Sequence, residues 1–257
     1  MPIKKLLYFS YEKLLEKGVK KGDMPTHLGL ILDGNRRYAK EKGYDDVTMG
    51  HKLGAKKIDD VLQWCADLNI KIVTIWVFST ENIQRGKEEV DALLEVIKDK
   101  IEELAKSPVI KKNGFRVKAL GRIDMLPEEL KTVIKNVEES TQTHTNHVLN
   151  IAIGYGGREE IVEAVKKAVK EKKVSTIDEL ANSITSDDIT SNLYTNGIPD
   201  PDLIIRTSGE IRLSGFLLWQ SAYSEFYFCD ALWPVFRKID FLRAIRSYQH
   251  RSRRFGR

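Results

Sequence analysis

Short runs of consecutive apolar residues, rich in β-branched and aromatic side chains, alternate along the chain with longer segments of helical periodicity. A continuous apolar run of about four to eight residues is typical of a strand that is covered on both faces. The run at 72–78, Ile-Val-Thr-Ile-Trp-Val-Phe, shows this pattern clearly. On the same grounds strands are predicted at residues 28–32, 72–78, 115–120, 148–153, 203–205 and 225–228.

Between these runs, apolar residues recur every three or four positions, which indicates amphipathic helices. Leu93, Leu94 and Ile97 lie on one such apolar stripe. Helices are predicted at residues 4–17, 50–68, 88–105, 128–139, 158–172 and 239–249, with a further short helix capped by Thr176 and Glu179. The alternation predicts an α/β fold in which a central, mostly parallel sheet of about six strands is flanked by helices.

No shift of composition divides the chain, so a single domain over residues 1–257 is expected. Residues 1–24 would form an N-terminal amphipathic helix and linker, and residues 251–257 a basic tail. Packing of that helix on the body is favoured over a membrane-surface role. The sequence shows neither a signal peptide nor an apolar run of about 18 residues, so a cytoplasmic location is expected, with peripheral membrane contact as the alternative.

The amino-acid composition excludes few classes of function. The formal net charge of +5 arises from 42 basic and 37 acidic residues, and a phosphate pocket accounts for it as well as a nucleic-acid surface would. The basic tail has no interleaved stacking aromatic except Phe255, so no nucleic-acid partner is expected. Cys65 and Cys229 form no disulfide or zinc pattern and are expected to be packing residues. His144 and His147 are expected at the surface.

A polar residue or a glycine follows each of four predicted strands directly. Asp33, Ser79, Gly154 and Arg206 each fall at a strand's carboxyl end. Because ligands of parallel sheets bind beyond the carboxyl ends of the strands, these residues are expected to meet at one edge.

The first of these stretches, Asp33-Gly34-Asn35-Arg36-Arg37, combines a carboxylate with two guanidinium groups. Arginines bind phosphate oxygens in bidentate fashion, and a helix that starts near Asn35 would add free N–H groups. A carboxylate beside a phosphate site suggests a bridging Mg²⁺, whose usual ligands are carboxylate and phosphate oxygens. The alternative is a capped turn with solvated arginines.

Two further stretches carry similar chemistry. Residues 79–85 place hydroxyl, carboxylate, amide and guanidinium groups after a buried strand, although Ser79 or Thr80 could simply cap a helix. Arg206, Arg212 and Ser214 would suit a second diphosphate, although with Glu210 they could form a surface ion-pair cluster. No P-loop, dinucleotide fingerprint or zinc motif is present, and Asp45-Asp46 lacks the third aspartate of the pattern used by all-helical isoprenoid enzymes.

Taken together, these motifs resemble the cis-prenyltransferases, the undecaprenyl and dehydrodolichyl diphosphate synthase family. The resemblance runs from about His27 to Gly256. It is carried by the Asp-Gly-Asn block, Gly50-His51-Lys52, Phe78-Ser79-Thr80-Glu81-Asn82, residues 150–158, 202–214 and 216–225, and the closing Arg254-Phe255-Gly256.

The resemblance implies a homodimeric α/β fold with a deep apolar tunnel, for which the 88–105 helix with Leu93, Leu94 and Ile97 is a candidate wall. It implies Mg²⁺-dependent, sequential addition of isopentenyl diphosphate to an allylic primer, farnesyl or geranylgeranyl diphosphate. The product would be a long-chain polyprenyl diphosphate for a glycosyl-carrier lipid, with peripheral membrane contact during its release.

Residue roles carry over by position. Asp33 would be the essential carboxylate at Mg²⁺, and Asn82 stands where proton removal is assigned, although an amide is a poor base and Asp33 or a diphosphate oxygen is the alternative. Glu225 would be a second metal ligand that reaches the neighbouring subunit's site. Substrate-binding residues would be Gly34, Asn35, Arg36, Arg37, Tyr38, His51, Ser79, Thr80, Glu81 and Arg85, with Arg206, Arg212 and Ser214 for isopentenyl diphosphate.

Several positions depart from the bacterial pattern of the family. Arg36 and Tyr38 replace Gly and Trp, Ile83 replaces a Trp, and Ile211 stands where a metal-contacting His is frequent. These features favour the archaeal and eukaryotic branch. A non-catalytic partner subunit is the main alternative function, and the presence of Asp33 and Asn82 disfavours it.

Overall fold

The computed structural model describes residues 2–84 and 86–251, with side chains from residue 8 onward. Its centre is a sheet of six strands in the order β3-β4-β2-β1-β5-β6. Every pair of neighbouring strands is parallel, which confirms the predicted sheet. The strands are β1 (His27–Ile31), β2 (Ile72–Ser79), β3 (Phe115–Leu120), β4 (His147–Tyr155), β5 (Leu203–Arg206) and β6 (Glu225–Phe228).

Ten α-helices are described: α1 (Pro2–Val19), α2 (Asn35–Glu41), α3 (Thr48–Asp67), α4 (Lys87–Lys106), α5 (Pro108–Asn113), α6 (Glu128–Thr141), α7 (Gly157–Glu171), α8 (Ile177–Ser183), α9 (Ser186–Asn192) and α10 (Lys238–Gln249). The sequence did not predict α5 or α9. Both begin at local caps: the Ser107 hydroxyl accepts from Val109 N, and Thr185 with Asp188 forms a capping box.

Alternate strand residues enter two apolar cores. Leu28 and Leu30 belong to the larger core, which includes the buried residues of α3, α4, α6 and α10. Ile31 and Ile204 point to the other face, where Phe216 and Leu217 complete a smaller core. Because both faces of the sheet are covered, the central strands consist almost wholly of apolar residues.

The N-terminal helix packs on the body, as predicted. Leu15 and Val19 of α1 are buried in the larger core, and α1 contacts α10. Glu16 pairs with Lys238 of α10 at 3.0 Å. Among the helices that the structure describes, none combines the length and apolar character needed to cross a membrane.

Both cysteines are buried, in agreement with a packing role. The prediction for His147 is wrong, because this residue is buried at the start of β4. Its ring stacks on Phe115, with centroids 4.8 Å apart, and its Nδ1 lies 2.9 Å from the carbonyl oxygen of Ile70. Burial lowers the pKa of this imidazole. The aromatic partner comes from a neighbouring strand, and the spacing of histidines along the chain gives no signal of it.

Candidate active site

The turn after β1 is fixed from two neighbouring segments of the chain. Asp33 N donates to the Thr207 hydroxyl at 2.9 Å, and that hydroxyl donates to Asp33 O at 2.7 Å. Trp233 N donates to the same carbonyl oxygen at 3.0 Å. The backbone of Asp33 is therefore held by the loops that follow β5 and β6. Thr207 and Trp233 were not among the predicted site residues.

Gly34 turns the chain from β1 into α2. Its φ of 104° lies in the left-handed region, and a Cβ there would lie 2.9 Å from Leu232 Cδ2. Only glycine fits both conditions without strain. Gly34 N also donates to Asp33 Oδ1 at 2.8 Å, which orients the carboxylate.

Arg206 joins the two predicted phosphate-binding stretches. Its guanidinium donates to Asp33 Oδ2 at 2.8 Å and to Ser214 Oγ at 2.9 Å, and also to the carbonyl oxygen of Arg212. The Arg206 side chain is only 5% exposed. The expected convergence of the β1 and β5 ends is thus confirmed, with a buried cation in direct contact with Asp33.

Glu210 connects two exposed arginines across the same edge. It accepts from Arg37 at 3.0 Å and is also ion-paired with Arg212. Hydrogen bonds from Arg37 and Arg212 lower the pKa of the Glu210 carboxyl. Arg37 additionally donates to the carbonyl oxygen of Ser208 at 3.0 Å. The ion-pair cluster that the sequence left as an alternative is therefore present, and it lies within the site.

Two open grooves adjoin at Asp33. The α2 groove, of about 330 Å³, is lined by Asp33, Gly34, Asn35, Arg36, Arg37 and Lys40. The β5 groove, of about 300 Å³, is lined by Asp33, Ser79, Glu81, Asn82, Arg206, Arg212 and Ser214, among others. Asp33 lines both grooves, so a metal ion bound to its carboxylate would be accessible to a substrate in either groove.

Ser79 and Asn82 form a closed turn on the wall of the β5 groove. Asn82 Oδ1 accepts from Ser79 N at 2.9 Å, and Ser79 Oγ accepts from Asn82 N at 3.1 Å. The amide oxygen is therefore already hydrogen-bonded to backbone. Thr80 lies beside Gly156, where an added Cβ would come within 2.5 Å of the Thr80 hydroxyl. Arg85 lies outside the described residues.

Other predicted substrate-binding residues lie around the α2 groove. Arg36 pairs with Glu89 of α4 at 3.4 Å. The Tyr38 ring has Lys42 Nζ 5.8 Å from its centroid, and Tyr38 is not among the residues that line the groove. Gly50 and Gly54 let α3 approach Asn35 closely, since an added Cβ at Gly54 would lie 2.2 Å from Asn35 Oδ1.

An apolar cavity of about 60 Å³ lies beneath the α2 turn, between the sheet and helices α3 and α4. Asn35 and His51 line one part of it. Its apolar lining includes Leu32, Ile58, Ile75, Val77, Leu93, Val96, Ile97, Ile101, Leu104 and Ile151. Leu93 and Ile97 thus face this cavity. Leu94 instead lies in an outer groove with Pro127 and Leu130, so it is not part of this wall.

Glu225 lies at the other edge of the sheet. It is the first residue of β6, in register with Leu203 and through it with Leu28. Ile31, the last residue of β1, lies three residues beyond Leu28, roughly 10 Å along the strand direction, and Asp33 follows the end of the strand. Glu225 accepts from Arg251 at 2.6 Å. One chain therefore does not bring Glu225 to Asp33, and its predicted metal role requires a second copy of the chain.

The described residues contain no cluster of three or more His, Cys, Asp or Glu side chains that would hold a metal by itself. Asp33 offers a single carboxylate between two basic grooves. This donor set fits Mg²⁺, which is commonly bound by one or two carboxylates together with substrate phosphate oxygens.

Comparisons with known proteins agree with this geometry. A family model described as "Putative undecaprenyl diphosphate synthase" matches residues 31–256. An isoprenyl transferase of Thermus thermophilus is 55% identical over 253 residues, covering 98% of this chain and 96% of that protein. A tritrans,polycis-undecaprenyl-diphosphate synthase (geranylgeranyl-diphosphate specific) of Methanocaldococcus jannaschii is 50% identical, covering 96% and 88%. Bacterial and archaeal relatives are thus similarly close.

Solved structures show the same fold. Lavandulyl diphosphate synthase from Lavandula x intermedia, in complex with dimethylallyl diphosphate, has a TM-score of 0.82 at 36% identity and covers 91% of this chain and 99% of that one. A probable undecaprenyl diphosphate synthase from Campylobacter jejuni has a TM-score of 0.74 at 33% identity, covering 91% and 100%. The chain belongs to the undecaprenyl diphosphate synthase family of prenyltransferases.

Proposed function

We propose that this isoprenyl transferase catalyses the Mg²⁺-dependent, sequential condensation of isopentenyl diphosphate with an allylic primer. Farnesyl and geranylgeranyl diphosphate are the proposed primers, and the similarity to the geranylgeranyl-diphosphate-specific Methanocaldococcus relative supports the latter. The product is a long-chain polyprenyl diphosphate for a glycosyl-carrier lipid. The observation that carries the proposal is the position of Asp33, on the common wall of two arginine-lined grooves.

The α2 groove is the proposed site of the allylic diphosphate. Arg36 and Arg37 face it, and the apolar cavity lies on the other side of Asn35. A primer whose diphosphate lies in this groove can therefore place its hydrocarbon between α3 and α4. Arginine–phosphate contacts stabilise the charge that develops when the C–O bond of the primer breaks.

The β5 groove is the proposed site of isopentenyl diphosphate. Arg206 and Arg212 both line it, and Ser214 accepts from both guanidinium groups, at 2.9 and 3.2 Å. One pair of unit charges 4 Å apart contributes about 4 kcal/mol at an effective dielectric near 20, before the cost of desolvation. This groove holds the double bond of isopentenyl diphosphate close to the allylic carbon in the neighbouring groove, which lowers the entropic part of the barrier.

Asp33 is the proposed ligand of Mg²⁺, together with diphosphate oxygens. When bound, the metal supplies Lewis-acid stabilisation of the diphosphate charge. In the condensation, the double bond of isopentenyl diphosphate attacks the allylic carbon and inorganic diphosphate leaves. A proton then leaves the adjacent carbon. Because Asn82 Oδ1 already accepts from Ser79 N and an amide is weakly basic, a diphosphate oxygen or Asp33 is the better acceptor.

A homodimer is part of the proposal, because Glu225 reaches a site of this kind only from a second copy. The lipid product is proposed to leave through peripheral contact with a membrane, and no nucleic acid takes part.

The test is incorporation of radiolabelled isopentenyl diphosphate into lipid-soluble product with farnesyl or geranylgeranyl diphosphate, with Mg²⁺ and with excess EDTA. Incorporation that depends on Mg²⁺ and on the primer supports the proposal. Absence of incorporation by the chain alone, together with an increase when the chain is added to a catalytic relative that is assayed by itself as the control, would instead identify a non-catalytic partner subunit.

A further inference from the structure

Lys100 is a charged residue in an otherwise apolar stripe of α4. The stripe faces the cavity through Leu93, Ile97, Ile101 and Leu104, and Lys100 lines the same space. The residue is only 6% exposed. Lysine is rarely buried to this degree unless its charge is paired, so its partner is informative.

The Lys100 ammonium crosses from α4 to α3. It forms an ion pair with Asp59, and a second, exposed carboxylate, Glu103, lies 3.6 Å away. The other carboxylate oxygen of Asp59 accepts from the Ser107 hydroxyl at 3.3 Å. These contacts join α3 and α4 directly beside the cavity wall. We call Lys100 and Asp59 the seam pair.

The seam pair lies away from the diphosphate end of the cavity. The ion pair of Arg36 with Glu89 places the start of α4 beside the α2 turn. From Leu93 to Leu104 the helix rises by roughly 16 Å at about 1.5 Å per residue. Lys100 is in the second half of that distance, so a hydrocarbon that grows from the α2 groove reaches it late.

The cavity is too small for a long product as it stands. Its volume of about 60 Å³ is well below the roughly 150 Å³ of an engineered protein cavity that binds one benzene molecule. A growing polyprenyl chain must therefore widen the space between α3, α4 and the sheet. Separation of α3 from α4 would leave the buried Lys100 charge with only the longer contact to the exposed Glu103 on its own helix, and loss of the Asp59 partner is costly in an apolar environment.

We propose that the seam pair limits the length of the product by fastening α4 to α3 along the cavity. The inference rests on the proposed function, in which the cavity receives the hydrocarbon. Lys100 acts through the helix that it holds and through its aliphatic stem, and it takes no part in the condensation.

The experiment compares product lengths, by reversed-phase chromatography of dephosphorylated products, for the unmodified enzyme and four variants. Lys100→Met keeps an unbranched side chain of similar length and removes the charge. Asp59→Asn removes the other half of the seam pair, and Lys100→Arg keeps the cation. Lys98→Met is the matched control, because Lys98 lies two positions away on α4 and pairs with Glu95 and Glu129 instead, at 2.8 and 3.1 Å.

The expected result is a shift of the main product by at least one five-carbon unit toward greater length in K100M and D59N. K100R and K98M should keep the original distribution. An unchanged or shorter product from K100M and D59N, both shown to be folded by circular dichroism, would overturn the inference. If K100M does not fold, the product length of D59N tests the inference. D59N should fold, because asparagine has the same size as aspartate and the Asp59 side chain is one-third exposed. Lack of any incorporation by the unmodified enzyme would refute the proposed function instead.

Discussion

The two edges of the sheet are both rich in polar side chains, but they hold them differently. At the amino edge, the His27 ring lies 2.6 Å from the carbonyl oxygen of Pro199 and 2.7 Å from the Thr74 hydroxyl, which also accepts from Asn150 at 3.0 Å. His27, Thr74 and Asn150 are all buried. At the carboxyl edge, Arg36, Arg37 and Arg212 are 45–59% exposed and paired with carboxylates.

The difference distinguishes polar groups that stabilise the fold from polar groups that are available to bind a ligand. Buried hydrogen bonds between neutral groups have no competing partner, so they contribute to stability and are not available to a ligand. Exposed ion pairs contribute little to stability, and a diphosphate can replace the carboxylate partner. Arg206 is intermediate, because it is buried and yet lines the open β5 groove. Substitutions at the amino edge should therefore affect folding, and those at the carboxyl edge should affect catalysis.

The largest expected effect at the carboxyl edge is that of Asp33→Ala. We expect kcat to fall by at least about 10³-fold, the upper range for loss of one transition-state-stabilising group. The fold should persist at lower stability, because Thr207 and Trp233 bind the Asp33 backbone, and the buried Arg206 loses one carboxylate but keeps its hydrogen bonds to Arg212 O and Ser214 Oγ. Steady-state rates and thermal melting would check both parts, and turnover within tenfold of the original would contradict the role of Asp33.

At the amino edge, acid should reduce the stability of the protein. Burial lowers the pKa of His27 from 6.5 to about 4. The unfolded state therefore binds the proton more readily between these values, and stability is lost as pH falls from 6.5 toward 4. The shift corresponds to about 3 kcal/mol at most. Urea unfolding at pH 7 and pH 4.5 would measure the loss, and a His27→Gln variant with an equally steep pH dependence would assign it to other groups.

Arg206→Ala should raise KM for isopentenyl diphosphate more than Arg212→Ala does. Arg206 is buried and hydrogen-bonded to three residues, whereas Arg212 is 59% exposed. Hydrogen bonds to charged groups contribute about 1.5–3 kcal/mol each, which predicts a change of about 100-fold for Arg206 and about tenfold for Arg212. Initial rates over a range of isopentenyl diphosphate concentrations would test this. Equal increases of KM in the two variants would show that the burial of Arg206 does not strengthen its contribution to isopentenyl diphosphate binding.

The smallest effect is expected from Glu210→Gln. Glu210 occupies the guanidinium groups of Arg37 and Arg212, so its neutralisation should free both for diphosphate. Exposed ion pairs contribute little, so KM for each substrate should fall by no more than about fivefold at low salt. A rise in either KM would mean that Glu210 positions the arginines and does not compete with the ligand.

Much of the fold was predictable because its signals are local. The β-branched runs gave all six strands, and parallel pairing alone required Asp33 and Arg206 to share an edge. Contacts between distant segments were not predictable. No feature of the sequence around Thr207 indicates its two hydrogen bonds to Asp33. The ion pair of Glu210 with Arg37 was equally hidden, because the two residues are 173 positions apart.

The lining of the cavity was also only partly predictable from the sequence. Helical periodicity placed Leu93 and Leu94 on one apolar stripe, but adjacent helical positions differ by about 100° in direction. Only Leu93 faces the cavity, since α6 packs against the other side of α4 and accepts Leu94 there. Because Leu93 and Leu94 are both apolar, the sequence alone could not show which of them faces the cavity and which faces α6.

Equilibrium binding distinguishes two separate diphosphate sites that share Asp33 from a single common site. Calorimetric titration would measure isopentenyl diphosphate and a non-reactive allylic thiodiphosphate against Arg206→Ala and Arg37→Ala, in the presence of Mg²⁺. We expect crossed effects: R206A weakens isopentenyl diphosphate binding and spares the allylic analogue, and R37A does the reverse. Equal weakening of both ligands by either variant, or the opposite assignment, would contradict it.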